Sequence, residues 1–98
     1  MKNYAIVVHR APDDTTLAEA IENILLEHFP NFISEADAGL YVITTDMSPE
    51  NIRVFFEHIE LVLSDTLLLI ELGHHAVQFQ SGSDFFRELE VRLKNKNT

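Results

Sequence analysis

Between Gly39 and Gly73 the chain reads strand, capped helix, strand, and this unit limits the folds open to everything around it. Leu40 to Thr45 is rich in β-branched and aromatic residues, and Thr66 to Leu72 carries a Leu/Ile run, both marks of strands. Between them Ser48 is placed to cap a helix, and Pro49 falls at N1, where a missing N–H is harmless. Glu50 follows against the positive end of the helix dipole. Ile52, Phe55, Phe56, Ile59, Val62 and Leu63 then recur with the spacing of one buried helical face. Arg53, Glu57, His58 and Glu60 fall on the water side.

The flanking chain extends this unit. Lys2 to His9 reads as a first strand, closed by turn material from Arg10 to Asp14. A helix is expected next, capped by Thr16 with Glu19 completing a capping box, and stopped by Pro30. Its buried stripe is Leu17, Ile21, Ile24, Leu25 and either His28 or Phe29. Phe32 to Ala36 is a short strand of weak alternation, which suggests a sheet edge, and Asp37-Ala38-Gly39 turns it back as a hairpin. The order is β-α-β-β-α-β, a ferredoxin-like α+β sandwich in which right-handed crossovers put both helices on one face of the sheet. An extra strand, Ala76 to Gln80, and a short last helix bearing Phe86, Leu89 and Leu93, capped by Ser81 or Ser83, complete the expectation. At 98 residues the chain is one domain, residues 1–98, with 94–98 a frayed tail.

A sheet covered on one side alternates apolar and polar residues. Here Tyr4, Ile6 and Val8 are apolar, and so are Ala5 and Val7; Leu68, Ile70 and Leu72 are matched by Leu67 and Leu69; Leu40 and Val42 are matched by Tyr41 and Ile43. Both faces therefore need a cover, since large exposed apolar patches are uncommon on monomers. The two candidates are a second copy packed face to face and the C-terminal strand and helix. The homodimer is the favoured expectation, with Leu67, Leu69, Val77 and Phe79 at its interface.

Charge says more about partners than about fold. The net charge is −9, and from Ala11 to Phe86 fourteen acids stand against one base, Arg53. Such a surface repels phosphate backbones, so direct nucleic-acid binding is not expected, and it attracts basic proteins. Glu19, Glu22 and Glu27 on the first helix and Glu50, Glu57 and Glu60 on the second are expected to share an outer face, with Asp46 at its rim. Carboxylates left without i, i+4 bases repel one another, and a Lys/Arg-rich partner relieves that. The bland reading of the same residues is a highly soluble surface.

Several strings resemble one family group, the small CRISPR-associated endonuclease of spacer adaptation and its SinR-like and GhoS-type antitoxin relatives. They are Tyr4-Ala5-Ile6, Tyr41-Val42-Ile43-Thr44-Thr45 with Ser48-Pro49-Glu50-Asn51-Ile52, and Asp65-Thr66-Leu67-Leu68-Leu69-Ile70-Glu71-Leu72. The resemblance implies a ferredoxin-like homodimer completed by a fifth strand from each protomer. Enzymatic members are expected to carry a metal-binding aspartate at the end of strand one. This chain has His9 there, and its nearest acids are Asp13 and Asp14 in the following turn. Imidazole suits zinc or nickel better than magnesium.

The remaining motifs are mostly negative. The five histidines, His9, His28, His58, His74 and His75, show no metalloprotease spacing. There is no cysteine, no G-x-S-x-G and, with three glycines, no phosphate cradle. No apolar run is long enough to span a membrane, no signal-peptide pattern opens the chain, and the absence of cysteine fits a reducing cytoplasm. The favoured expectation is a binding or inhibitor protein of antitoxin, immunity or anti-defence type, without a cofactor, whose acidic face docks on a basic protein. The alternatives are a metal-dependent endoribonuclease using His9, Asp13 and Asp14 with a divalent cation, and a structural assembly subunit.

Overall fold

Four antiparallel strands in the order β2-β3-β1-β4 form one sheet, with three helices placed on its two faces. The structure is a computed structural model and describes residues 1–9, 15–59, 65–73 and 84–94. The elements are β1 (Lys2–His9), α1 (Thr15–His28), β2 (Ile33–Glu35), β3 (Leu40–Thr45), α2 (Pro49–Val54), β4 (Thr66–Leu72) and α3 (Asp84–Lys94). The protein is thus α+β, with β1, β3 and β4 at the bounds expected from their apolar runs and β2 at an edge of the sheet. The expected fifth strand, with Val77 and Phe79, lies outside the described residues, as do Ser81, Ser83 and the tail from Asn95.

Register assigns every strand residue to a face, because residues directly opposite in an antiparallel ladder point the same way. Tyr4 lies opposite Ile43, and Ile6 lies opposite Tyr41 on one side and Leu69 on the other. Val8 lies opposite Leu67. With Leu17, Ile21 and Leu25 of α1, Phe29 just after it, and Ile52 and Phe56, these residues make the main core. The second face holds Ala5 opposite Val42 and Ile70, and Val7 opposite Leu40 and Leu68. Here α3 lays Phe85, Leu89 and Leu93 over Ala5 and Val42, with Ile33, Leu40 and Leu72 around them.

Three expectations are corrected by this arrangement, and a fourth, the burial of Phe86, lies outside the described residues. The centre of the second face is covered by α3 and not left for a second copy, because Phe85, Leu89 and Leu93 recur every fourth residue and form one apolar stripe. Phe85 is the aromatic shown buried there; the side chain of Phe86 lies outside the described residues. Leu67 and Leu69 lie on the α1/α2 face, and Leu68 and Ile70 are the residues exposed on the other, at 50% and 42%. Thr16 lies inside α1 as its second residue, so it does not cap the helix.

The second helix is also shorter than its apolar spacing suggests. The Ser48 hydroxyl caps it as expected, accepting from the Asn51 N–H at 3.3 Å. After Val54 the backbone tightens to i→i−3 bonds: Phe56 N–H to the Arg53 carbonyl at 2.9 Å, Glu57 to Val54 at 3.4 Å and Ile59 to Phe56 at 3.2 Å. Across these i→i−3 turns Phe55, Phe56 and Ile59, like Ile52 of α2, still reach the core. The apolar pattern therefore looks alike for both geometries. Val62 and Leu63 lie outside the described residues.

A polar chain fastens α3 to the sheet. Arg92 donates through Nη1 to Thr44 Oγ1 at 3.2 Å, and Thr44 Oγ1 donates to Oδ1 of buried Asn3 at 2.6 Å. Nη2 of Arg92 donates to the Asn31 carbonyl beyond α1, and Nε to Glu88 at 3.4 Å. The Arg92 side chain is only 18% exposed and its bond to Thr44 is partly buried, while those to Asn31 and Glu88 lie at the surface. Replacing Arg92 with methionine, which keeps the apolar stem, is expected to lower stability by about 1–3 kcal/mol, the range for losing hydrogen bonds made by a charged group. Urea unfolding followed by circular dichroism measures it.

Candidate functional site

The surface made by α1, α2 and the turn after it is where the expected acidic residues meet the sheet's apolar face. Glu19 and Glu27 of α1 are exposed and Glu22 is half-buried, because Leu17, Ile21 and Leu25 take the buried side of the helix. Glu50, in the first turn of α2, and Glu57, just after it, are exposed. Asp46 sits at the end of β3, where the N-terminal amine lies 3.3 Å from its Oδ1. Glu60 lies outside the described residues.

The few cations near this surface are engaged locally. Arg53 Nη2 lies 3.9 Å from Glu57 Oε1 one turn on, and Lys2 Nζ lies 3.8 Å from Glu71 Oε1 on the adjoining strand. His28 Nε2 is 3.7 Å from Glu27 Oε2, and its ring stacks on Phe55 with centroids 4.2 Å apart. Phe29 meets the same Phe55 ring edge-on at 5.5 Å, a favourable aromatic geometry. These aromatics join α1 to α2. That is the packing role expected of Phe55 and Phe56, whose spacing marks them as core residues.

Two grooves flank α2. One, of about 480 Å³, is lined by Ile6, Pro49, Glu50, Arg53, Phe56, Leu67 and Leu69. The other, about 450 Å³, lies between α1 and the turn after α2 and is lined chiefly by Ala20, Ile24, Phe55, His58 and Ile59. Neither was visible in the sequence. The first needs the register that turns Leu67 and Leu69 toward α2, and the second needs the position of α2 beside α1.

The residues of the nuclease alternative are not brought together within the described residues. His9 ends β1 as an exposed residue opposite Thr66 of β4, while Asp13 and Asp14 lie outside the description, as do His74 and His75. Among the described residues no three His, Asp or Glu side chains gather in a way that would hold a metal ion. The described residues include no helix long and apolar enough to cross a membrane. Two of the described polar residues are buried, Asn3 and Asp65, and the sequence pointed to burial of neither, although Asp65 opens one of the resembling strings. Only the three-dimensional packing marks their burial. The chain matches no family model, and no curated protein or solved structure matches it significantly.

Proposed function

We propose that the protein is a non-enzymatic binding or inhibitor protein, built on a ferredoxin-like sandwich, that docks its acidic helical side on a basic protein surface. The observation that carries this reading is the charge of that side. Glu19, Glu27, Glu50 and Glu57 are all exposed on α1, α2 and the turn that follows, and Arg53 is the single base between Ala11 and Phe86. An acidic surface of this kind speeds encounter with a cationic partner and discourages approach of nucleic acid. A partner with a basic nucleic-acid-binding or toxic site would be blocked by it, as an antitoxin, immunity or anti-defence protein blocks its target.

The test is capture on the immobilised protein at low and at high ionic strength, followed by assay of the recovered partner with and without added protein. The expected result is a basic protein retained only at low salt, with its activity suppressed by stoichiometric addition. Recovery of no salt-sensitive partner from the native host's extract would count against this function. The protein itself, offered single-stranded and duplex RNA and DNA with magnesium or manganese, is expected to cleave none of them.

A further inference from the structure

Helix α3 carries two overlapping apolar stripes in its sequence. Phe85, Leu89 and Leu93 are spaced i, i+4, i+8, and Phe86, Leu89 and Leu93 are spaced i, i+3, i+7; either set forms one face of a helix. At about 3.6 residues per turn the midlines of the two differ by roughly 30°, so a small roll of the helix about its own axis passes from one to the other. The sheet beneath offers Ala5 and Val42, with Ile33, Leu40 and Leu72 around them. Aliphatic surfaces of this kind tolerate repacking that conserves volume, so they discriminate weakly between a ring from position 85 and one from position 86. Yet Phe85 is seated in that cluster, 5% exposed. We propose that the polar chain Arg92–Thr44–Asn3 makes this choice, fixing the roll of α3 on the sheet as well as holding it down.

Position and bond direction both support this role. Asn3 lies opposite Thr44 in the ladder, on the face that holds Ala5 and Val42, so the two put a polar pair at the end of the apolar cluster. Asn3 is 2% exposed, and its Oδ1 accepts from the Thr44 hydroxyl, which in turn accepts from Arg92 Nη1. A guanidinium can only donate, and a hydroxyl that has an acceptor behind it needs its second partner to be a donor. Arg92 lies roughly 60° from the midline of the Phe85 stripe and roughly 90° from that of the Phe86 stripe. The first setting therefore turns it toward the sheet, and the second turns it aside. Its Nη2 donates to the Asn31 carbonyl, in the turn before β2, and braces the same side of the helix. Rolling to the second stripe would withdraw the donor from Thr44 and leave a partly buried polar group half satisfied, which is costly. Apolar contacts supply most of the docking strength. The directional bonds decide between settings that those contacts leave close in energy, as a lone polar residue fixes register in a coiled coil.

The test removes the polar chain without orphaning a buried group, by combining Asn3→Leu, Thr44→Val and Arg92→Met in the full-length protein. Methyl resonances of Ala5, Val42, Leu89 and Leu93 are followed, together with their contacts to the ring protons of the two phenylalanines. The parent is expected to give one set of methyl signals, with ring contacts from Phe85. The triple variant is expected to keep α3 helical and docked but to give two sets, or one set broadened by exchange, with ring contacts from both phenylalanines. Phe85→Ala is expected to lower the urea midpoint of the parent, and about half of that shift or more is expected to vanish in the triple variant, the coupling that marks a shared choice. Arg92→Met alone leaves Asn3 and Thr44 bonded to each other. It is expected to show the second set at lower population, and it carries the test if the triple variant fails to fold. One sharp set with the parent's Phe85 contacts in these variants would overturn the proposal, because packing alone would then fix the roll. Unfolded α3 signals in an otherwise folded variant would overturn it too, because the polar chain would then supply strength and not choice.

Discussion

Gly39→Ala is expected to destabilise the protein by about 2–4 kcal/mol, from left-handed backbone strain and a lost backbone hydrogen bond. Gly39 closes the 3₁₀ turn Ala36–Ala38 with φ +68°, a conformation that an L side chain adopts only with strain. The turn's other constraint is closeness. The Gly39 carbonyl accepts from the Val8 N–H at 2.7 Å, and a Cβ at Gly39 would fall well inside the contact distance of the Val8 carbonyl oxygen. That neighbour is backbone in a central strand, so it has no rotamer with which to move away. Relief requires β1 and β3 to separate at the end of their ladder, beyond the pair Val7 and Leu40. A chain of this size is stable by only about 5–15 kcal/mol, so the change is a large share of the whole. Asp37→Ala, at an exposed position in the same turn, is the control and is expected to stay within about 0.5 kcal/mol. Urea unfolding of both variants measures the difference. Equal stability of the two would mean that the turn is held in some other way.

Gly39 also shows which parts of the fold were legible. Its place after Asp37-Ala38 marks a turn by composition, and the strand that follows was bounded correctly from its own residues, because turn chemistry and strand propensity are local. The face of β4 was not local. Leu67, Leu68, Leu69 and Ile70 give no alternation to read, so only pairing with β1 decides that Leu67 and Leu69 look toward α2. The same lack of contrast hid where α2 ends, since Ile52, Phe55, Phe56 and Ile59 reach the core in either helical geometry. The candidate site divides along this line. Its carboxylates were visible in composition, while its groove depends on register and on helix length. Nothing local connects Arg92 to Asn31 and Thr44, which lie more than forty residues away in sequence.

Leu89→Asp is expected to detach α3 and, with it, to turn a protein covered on both faces into one that self-associates. Leu89 is buried among Ala5, Val42, Phe85 and Leu93, and Arg92, one turn on, is already bonded to Thr44, Asn31 and Glu88. An unpaired buried charge costs several kcal/mol, more than the roughly 2–5 kcal/mol of a Leu→Ala change. The protein can avoid part of this penalty by releasing the helix, which limits the loss to what α3 contributes by docking. Leu89→Asp and a chain ending before Asp84 are therefore expected to converge on the same lowered stability, with Leu89→Ala between them and the parent. Release of α3 uncovers Ala5 and Val42 beside Leu68 and Ile70, which are already exposed, and so joins them into one apolar surface across the second face. Surfaces of that kind drive association. Light scattering against concentration is expected to show it for both altered chains and to a much smaller degree for the parent. The form of the association also tests the doubly apolar strands. A discrete dimer appearing only when α3 is lost would mean that α3 and a second copy are alternative covers for one surface. Open-ended aggregation would mean that the face is shaped for α3 alone. If the truncated chain stays monomeric and as stable as the parent, the packing of Phe85, Leu89 and Leu93 on the sheet contributes little, and the second face must be protected in another way.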